Sequence, residues 1–420
     1  MNSRERIEKA LRHEQPDKLP IDFGATLVTG IHVSMVYKIR QYYGLDKPGI
    51  PVKVIEPYQM LGEIKPDLRN LIGIDVVNLD DGNTIFGYSL DEYRKWKFHD
   101  ATPLLIPKLF NTNINNDGTL YQYPKGDKNS SPCAKMPKKG FFFDSIIRQN
   151  KIDEKNLNPE DNLEEFNLLS DSDLDYLKEK VDYLNKNTQC AIMGNVISAG
   201  FGDIAFVPGP SLSNPKGIRD IEEWYISIFT RKEYIKKVFE GQCELAIENC
   251  KRIFNKIGNK IEIIFISGTD FGMQEGPFIS KETFRELFKP FYKKVNTWIH
   301  ENTSWKCFTH SCGSVYELIP DLIEAGFDVL NPIQISARNM DPAILKKEFG
   351  KYITFWGGGI NTQKTLPFGN PKTVAEEVKK LIEIFNKDGG YVFNTVHNIQ
   401  ANSPLENVVA MIETIRKYRQ

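Results

Sequence analysis

Short apolar runs rich in β-branched residues recur along the chain, each ending near Gly, Asn, Asp or His and giving way to polar or helical sequence. That order is the one expected of parallel strands feeding crossover helices. Eight runs fit it: 18–24 (KLPIDFG), 74–80 (IDVVNLD), 189–196 (QCAIMGNV), 261–268 (IEIIFISG), 305–310 (WKCFTH), 327–332 (FDVLNP), 352–359 (YITFWGGG) and 390–397 (GYVFNTVH). Segments such as HVSMVYKIRQYYG, GSVYELIPDLIEAG and NPKTVAEEVKKLIEIFNKDGG show apolar positions three to four apart, with Ser, Asn or Pro near the start and Gly near several ends. Eight strands separated by helices predict an α/β fold, a (β/α)8 TIM barrel.

Two stretches exceed a minimal barrel. Residues 97–165 are rich in Asn, Lys, Pro and Gly and carry a DG turn, which predicts an inserted hairpin or pair of hairpins. Residues 200–258 hold a loop and two helices before the fourth run, so that crossover is enlarged. The expectation is one barrel domain over 1–420, with a short extension at its N-terminus. A doubly wound open sheet is the alternative, against which the absence of GxGxxG after the first run counts when a dinucleotide is the ligand.

Composition narrows the function. Lys+Arg of 54 against Asp+Glu of 55 gives a formal charge of -1. No long basic or acidic tract offers itself to nucleic acid or an anionic membrane. The start is charged and no stretch of about 18 uninterrupted apolar residues occurs, so a cytoplasmic protein is expected. Six scattered cysteines read as reduced thiols rather than a disulfide framework.

In a barrel of this kind the active site is built at the carboxyl ends of the strands. The residues placed there are Asp22, Asp80 with Asp81, Asn195, Asp270, His310 with Cys312, Asn331, Gly357 to Gly359, and Asn394 with His397. Singly, Asp and Asn at strand ends are turn formers and helix caps. Together they outline a polar mouth. His310, Cys312 and His397 are candidate ligands of an open zinc site, since zinc takes imidazole nitrogen and cysteine sulfur with a fourth position left for substrate. A structural histidine and a packed thiol are the plainer alternative. Asp270 is a candidate proton carrier or fourth ligand, and Asp22 and Asp80 are candidates for proton handling. Asn195, Asn331, Gly357 and Gly358 are candidates for contact with a bound cofactor, the glycines because they let a ligand approach the backbone.

Five separated stretches, MNSRERIEKALRHEQPDKLPIDFG, SGTDFGMQEGPFISKETFRELFKPFYKKV, HSCGSVYELIPDLIEAGFDVLNPIQ, WGGGINTQKTLPFG and VHNIQANSPLENVVAMI, come in the order of the uroporphyrinogen decarboxylase superfamily. Together they resemble its corrinoid-linked methyltransferase branch. The resemblance implies the barrel, a zinc ion, and a corrinoid (methylcobalamin) carried by a partner protein. It places the zinc on His310 and Cys312, with His397, seven residues before Pro404, where the family has a cysteine. The decarboxylases themselves carry an arginine-rich segment after the first strand, whereas this chain reads IDFGATLVTGIH there, without arginine.

The expected activity is methyl transfer between a small molecule and a corrinoid protein, with histidine in place of a thiolate making the metal a stronger Lewis acid. A homodimer is compatible with the sequence. Two rivals stand beside this reading. One is a metal-independent decarboxylase or lyase of a small carboxylic acid, using Asp22, Asp80 and His397; the other is a non-catalytic ligand-binding barrel.

Overall fold

The computed structural model describes residues 1–197 and 199–419. Seven strands form one parallel sheet in chain order: β1 (Val76–Asp80), β2 (Ala191–Asn195), β3 (Ile263–Ser267), β4 (Lys306–His310), β5 (Val329–Asn331), β6 (Thr354–Trp356) and β7 (Tyr391–Val392). The sheet curls, and residues 20–22 lie between its two edges. Ile21 pairs in parallel with Phe393, just beyond β7. Asp22 N–H donates to Phe393 O at 2.9 Å, and on the other flank Asp75 N–H donates to Ile21 O at 2.8 Å. The arrangement is consistent with a TIM-like barrel.

The expected first strand, 18–24, is therefore only a bridge. Pro20 has no N–H to give, and Ile21 N–H donates to the Asp75 carboxylate at 3.0 Å rather than to a strand carbonyl. Asp75 is fully buried and also pairs with Arg6 at 2.6 Å and Arg419 at 2.7 Å. Both ends of the chain are thus tied to this seam.

Two apolar layers follow from the pleat of the sheet. Val76, Ala191, Met193, Ile263, Phe308, Val329, Trp356 and Val392 fill the interior, which Ile7, Ala10 and Leu11 of the helix Ser3–Leu11 enter. That helix starts where Asn2 and Glu5 form a capping box. The outer faces of the strands are covered by helices with one apolar stripe. In Pro371–Phe385, for example, Val374, Val378, Leu381, Ile382 and Phe385 are buried at three-to-four-residue spacing.

Outside the barrel sheet, Tyr93–Lys97 pairs antiparallel with Pro103–Pro107, and Leu120–Gln122, Ala134–Met136 and Asp144–Ser145 form a small antiparallel sheet. Between β2 and β3 the chain carries the helices Ile221–Thr230 and Lys232–Ile257. Among the described residues no helix is long and apolar enough to cross a membrane. The cysteines are all free thiols; five are buried, and Cys312 is only half-buried.

Candidate metal centre

His310 is the last residue of β4, and the chain beyond it is held tightly against the loop that follows β3. A Cβ on Gly313, which has φ +84°, would stand 2.2 Å from the carbonyl carbon of Gly272, and one on Gly272 would stand 2.6 Å from Cys312 O. Only glycines allow the two loops to cross at this distance. The crossing is bonded on both sides: Ser314 N–H donates to Met273 O at 2.8 Å and Phe271 N–H to Ser311 Oγ at 2.9 Å. Its result is that Cys312 N–H donates to Asp270 Oδ1 at 2.6 Å. The two motifs, DFG after β3 and HSCGS after β4, are one construction.

His397 reaches the same place from the loop after β7. Its Nδ1 accepts the N–H of Asn398 at 2.8 Å, which leaves Nε2 for other partners. The His310 and His397 rings meet edge to face with centroids 5.3 Å apart. Cys312 Sγ lies 3.3 Å from His310 Nε2. One ligand atom from each of His310, Cys312 and His397 falls within 4.8 Å of the others. Asp270 Oδ1 is 3.8 Å from His310 Nε2.

Burial sets the charge state of these groups. It lowers the pKa of His310 to about 4 and that of His397 to about 3, the neighbouring His310 adding to the second. Both imidazoles are neutral at pH 7. Burial, with Asp270 alongside, raises the Cys312 thiol well above its usual range. Burial also raises Asp270, against the hydrogen bond from the Cys312 backbone. Two neutral imidazoles and a thiol, converging where no lysine or arginine is among the groups that shift their charge states, make a donor set that suits zinc with a fourth position open.

The remaining sequence candidates divide. Asn331 lies against His310, its Oδ1 2.6 Å from Nδ1. Asp22 is fully buried and its oxygens accept from Trp356 Nε1 at 2.9 Å and Ala25 N at 3.0 Å, so in this structure it holds the indole inside the barrel. Asp80 is ion-paired with Lys180 at 2.6 Å. Asn195 bridges Asn78 Oδ1 at 2.6 Å and Ala25 O at 2.8 Å.

The glycines after β6 are closely bounded by neighbouring chain. The room left by Gly357 is bounded by Thr395 O at 2.9 Å, and that left by Gly358 by Ile333 Cβ at 2.8 Å. Their missing side chains let the neighbouring chain pack closely.

Asp203 is the acid that the sequence did not single out. It lies in the loop after β2, in GFGDIAF, and Oδ2 sits 2.8 Å from where a Cβ on Gly268 would be, at the end of β3. Burial pushes it up to about 7, with Asp270 contributing. The glycines at 200, 202 and 268 were the available signal. A second metal-ligand grouping, His300, Cys307 and Asp328, lies at the opposite end of β4. There Asp328 already accepts from His300 at 2.7 Å, Lys306 at 3.0 Å and Cys307 N–H at 2.8 Å, and the lysine opposes a cation.

Residues 146–418 match the uroporphyrinogen decarboxylase (URO-D) family, more than half of the chain. The chain belongs to that family. Among solved structures, a methyltransferase from Methanosarcina mazei is similar over 100% of both chains, with a TM-score of 0.54 and 14% identity, which shows a shared fold. No curated protein matches the chain. All three metal-ligand candidates, and Asp203 and Asp270, lie inside the segment that matches the URO-D family.

Proposed function

We propose that the protein is a zinc-dependent methyltransferase that moves a methyl group between a small molecule and a corrinoid protein. The observation that carries this reading is the convergence of His310, Cys312 and His397 from two separate strand ends. Bound there, zinc supplies Lewis acidity that polarises the heteroatom of the methylated molecule.

The chain's own residues supply the rest. Asp270, held 2.6 Å from the Cys312 backbone, is placed beside the ligand set. Its raised pKa suits it to give a proton to the departing heteroatom. A corrinoid carried by a partner protein docked over the mouth would supply the methyl-accepting centre, and Asp270 would protonate the heteroatom that keeps the electron pair of the broken bond. Membership of the URO-D family and a methyltransferase of the same fold support the reading.

The test is methyl exchange. Zinc-loaded protein is mixed with reduced cobalamin and methylated ethers, thioethers and amines, and methylcobalamin is followed by absorbance. Formation of methylcobalamin that stops on chelation is expected. Failure to exchange methyl with any cobalamin species contradicts the proposal, and turnover of small carboxylic acids that persists in chelator would establish the decarboxylase reading instead.

A further inference from the structure

The backbone carbonyl of Trp356 can only accept a hydrogen bond, and Asn331 lies 2.7 Å from it through the atom assigned as Nδ2. The amide nitrogen must face this carbonyl, because two oxygens at that distance inside the protein would repel. Its other end, Oδ1, is therefore turned to His310 Nδ1 at 2.6 Å. An amide oxygen accepts only, so the proton of the neutral His310 ring has to be on Nδ1. Nε2 then carries the lone pair, aimed at Cys312 Sγ 3.3 Å away.

We infer that Asn331 is a positioning residue that fixes His310 in the Nδ1–H tautomer, so that Nε2 is the metal-binding atom. The inference rests on the zinc reading for its purpose but not for its geometry. Asn331 is itself held in place. Trp356, whose carbonyl anchors the amide, is fixed through its indole N–H to Asp22 at 2.9 Å. Gly357 has φ +106°, and a side chain there would stand 3.2 Å from Asn331 Nδ2 and 2.9 Å from Thr395 O. Asn331 is fully buried, so no water competes for either end of its amide. Asn331 thus bears on His310 directly, and Asp22 bears on it through Trp356. Partners of this kind, which set ring orientation and basicity, change metal affinity by about 10–100-fold when removed.

The test has a readout that needs no metal. In metal-free protein labelled with 15N-histidine, the His310 signal, assigned by its loss in His310→Ala, is expected to show a protonated Nδ1 and a bare Nε2. Asn331→Leu, which keeps the bulk, is expected to abolish that preference. Asn331→Asp is expected to retain it, since a neutral carboxyl donates to Trp356 O and accepts from Nδ1 as the amide does. Zinc affinity, measured by competition with a chromophoric chelator, should fall about 10–100-fold in the leucine variant and recover in the aspartate variant. A wild-type His310 protonated on Nε2, or a tautomer unchanged in Asn331→Leu, overturns the inference. Absence of zinc binding by wild-type protein with the Nδ1–H tautomer intact would instead count against the proposed function alone.

Discussion

Cys312 Sγ and His310 Nε2 face each other at 3.3 Å, a thiol against the lone pair of a neutral imidazole. Any metal that binds here must displace the thiol proton. Because burial raises the Cys312 pKa well above its usual range and lowers both histidines to about 4 and about 3, only the thiol gives up a proton at neutral pH. Calorimetry in buffers of different ionisation enthalpy should report about one proton released per zinc. Affinity should accordingly rise about tenfold per pH unit between pH 5 and 8. A pH-independent affinity would mean that Cys312 is not a ligand.

Asp270 fixes Cys312 through its backbone and stands near the metal ligands, and two substitutions separate those tasks. Asp270→Asn retains an oxygen for the Cys312 N–H, so zinc affinity should stay within about threefold while methyl transfer falls about 10²-fold for want of a proton donor. Asp270→Ala should lose zinc affinity as well, by about 10–100-fold. Equal methyl transfer by the asparagine variant and wild type would remove Asp270 from the chemistry.

Gly313 and Gly272 cross too closely for any side chain. Gly313→Ala combines that overlap with φ +84° and is expected to destabilise the protein by about 1–3 kcal/mol or more in chemical denaturation. Zinc binding should weaken in the same variant, because the loop that carries Cys312 has to move. A variant of unchanged stability and metal content would show that the crossing is loose.

Asp203 titrates at about 7 in the folded chain, above the ordinary 3.8. The folded state therefore binds more protons than the unfolded one between about pH 4 and 7, and this group's contribution is lost as pH rises through that window. Asp203→Asn should raise Tm relative to wild type at pH 8, by about 2–4 °C, and the gain should shrink toward zero at pH 4. The same difference at both pH values would mean that the carboxylate is not the cause.

Much of this was legible in the pattern of the chain. The parallel strands from 76 onward and the helices after them follow from apolar periodicity, and the meeting of His310, Cys312 and His397 follows from their common position at strand ends. What sequence position could not convey was direction and company. Asp22 and Asp80 sit where catalytic acids would, yet one holds an indole and the other a lysine, partners supplied by Trp356 and Lys180 from distant parts of the chain. The 18–24 run looks like a strand, but Pro20 and the Asp75 carboxylate shorten its ladder to a bridge at Ile21. Asp203 escaped because its neighbour is Gly268, sixty-five positions on, and only the fold places the two together.

The most direct measurement is zinc content of the purified protein beside Cys312→Ser and His397→Ala, with thermal denaturation to confirm that each variant is folded. About one zinc per chain in wild type, lost in both folded variants, is the result this account predicts. No zinc in wild-type protein supplied with the metal, or full zinc retained in both variants, would contradict it.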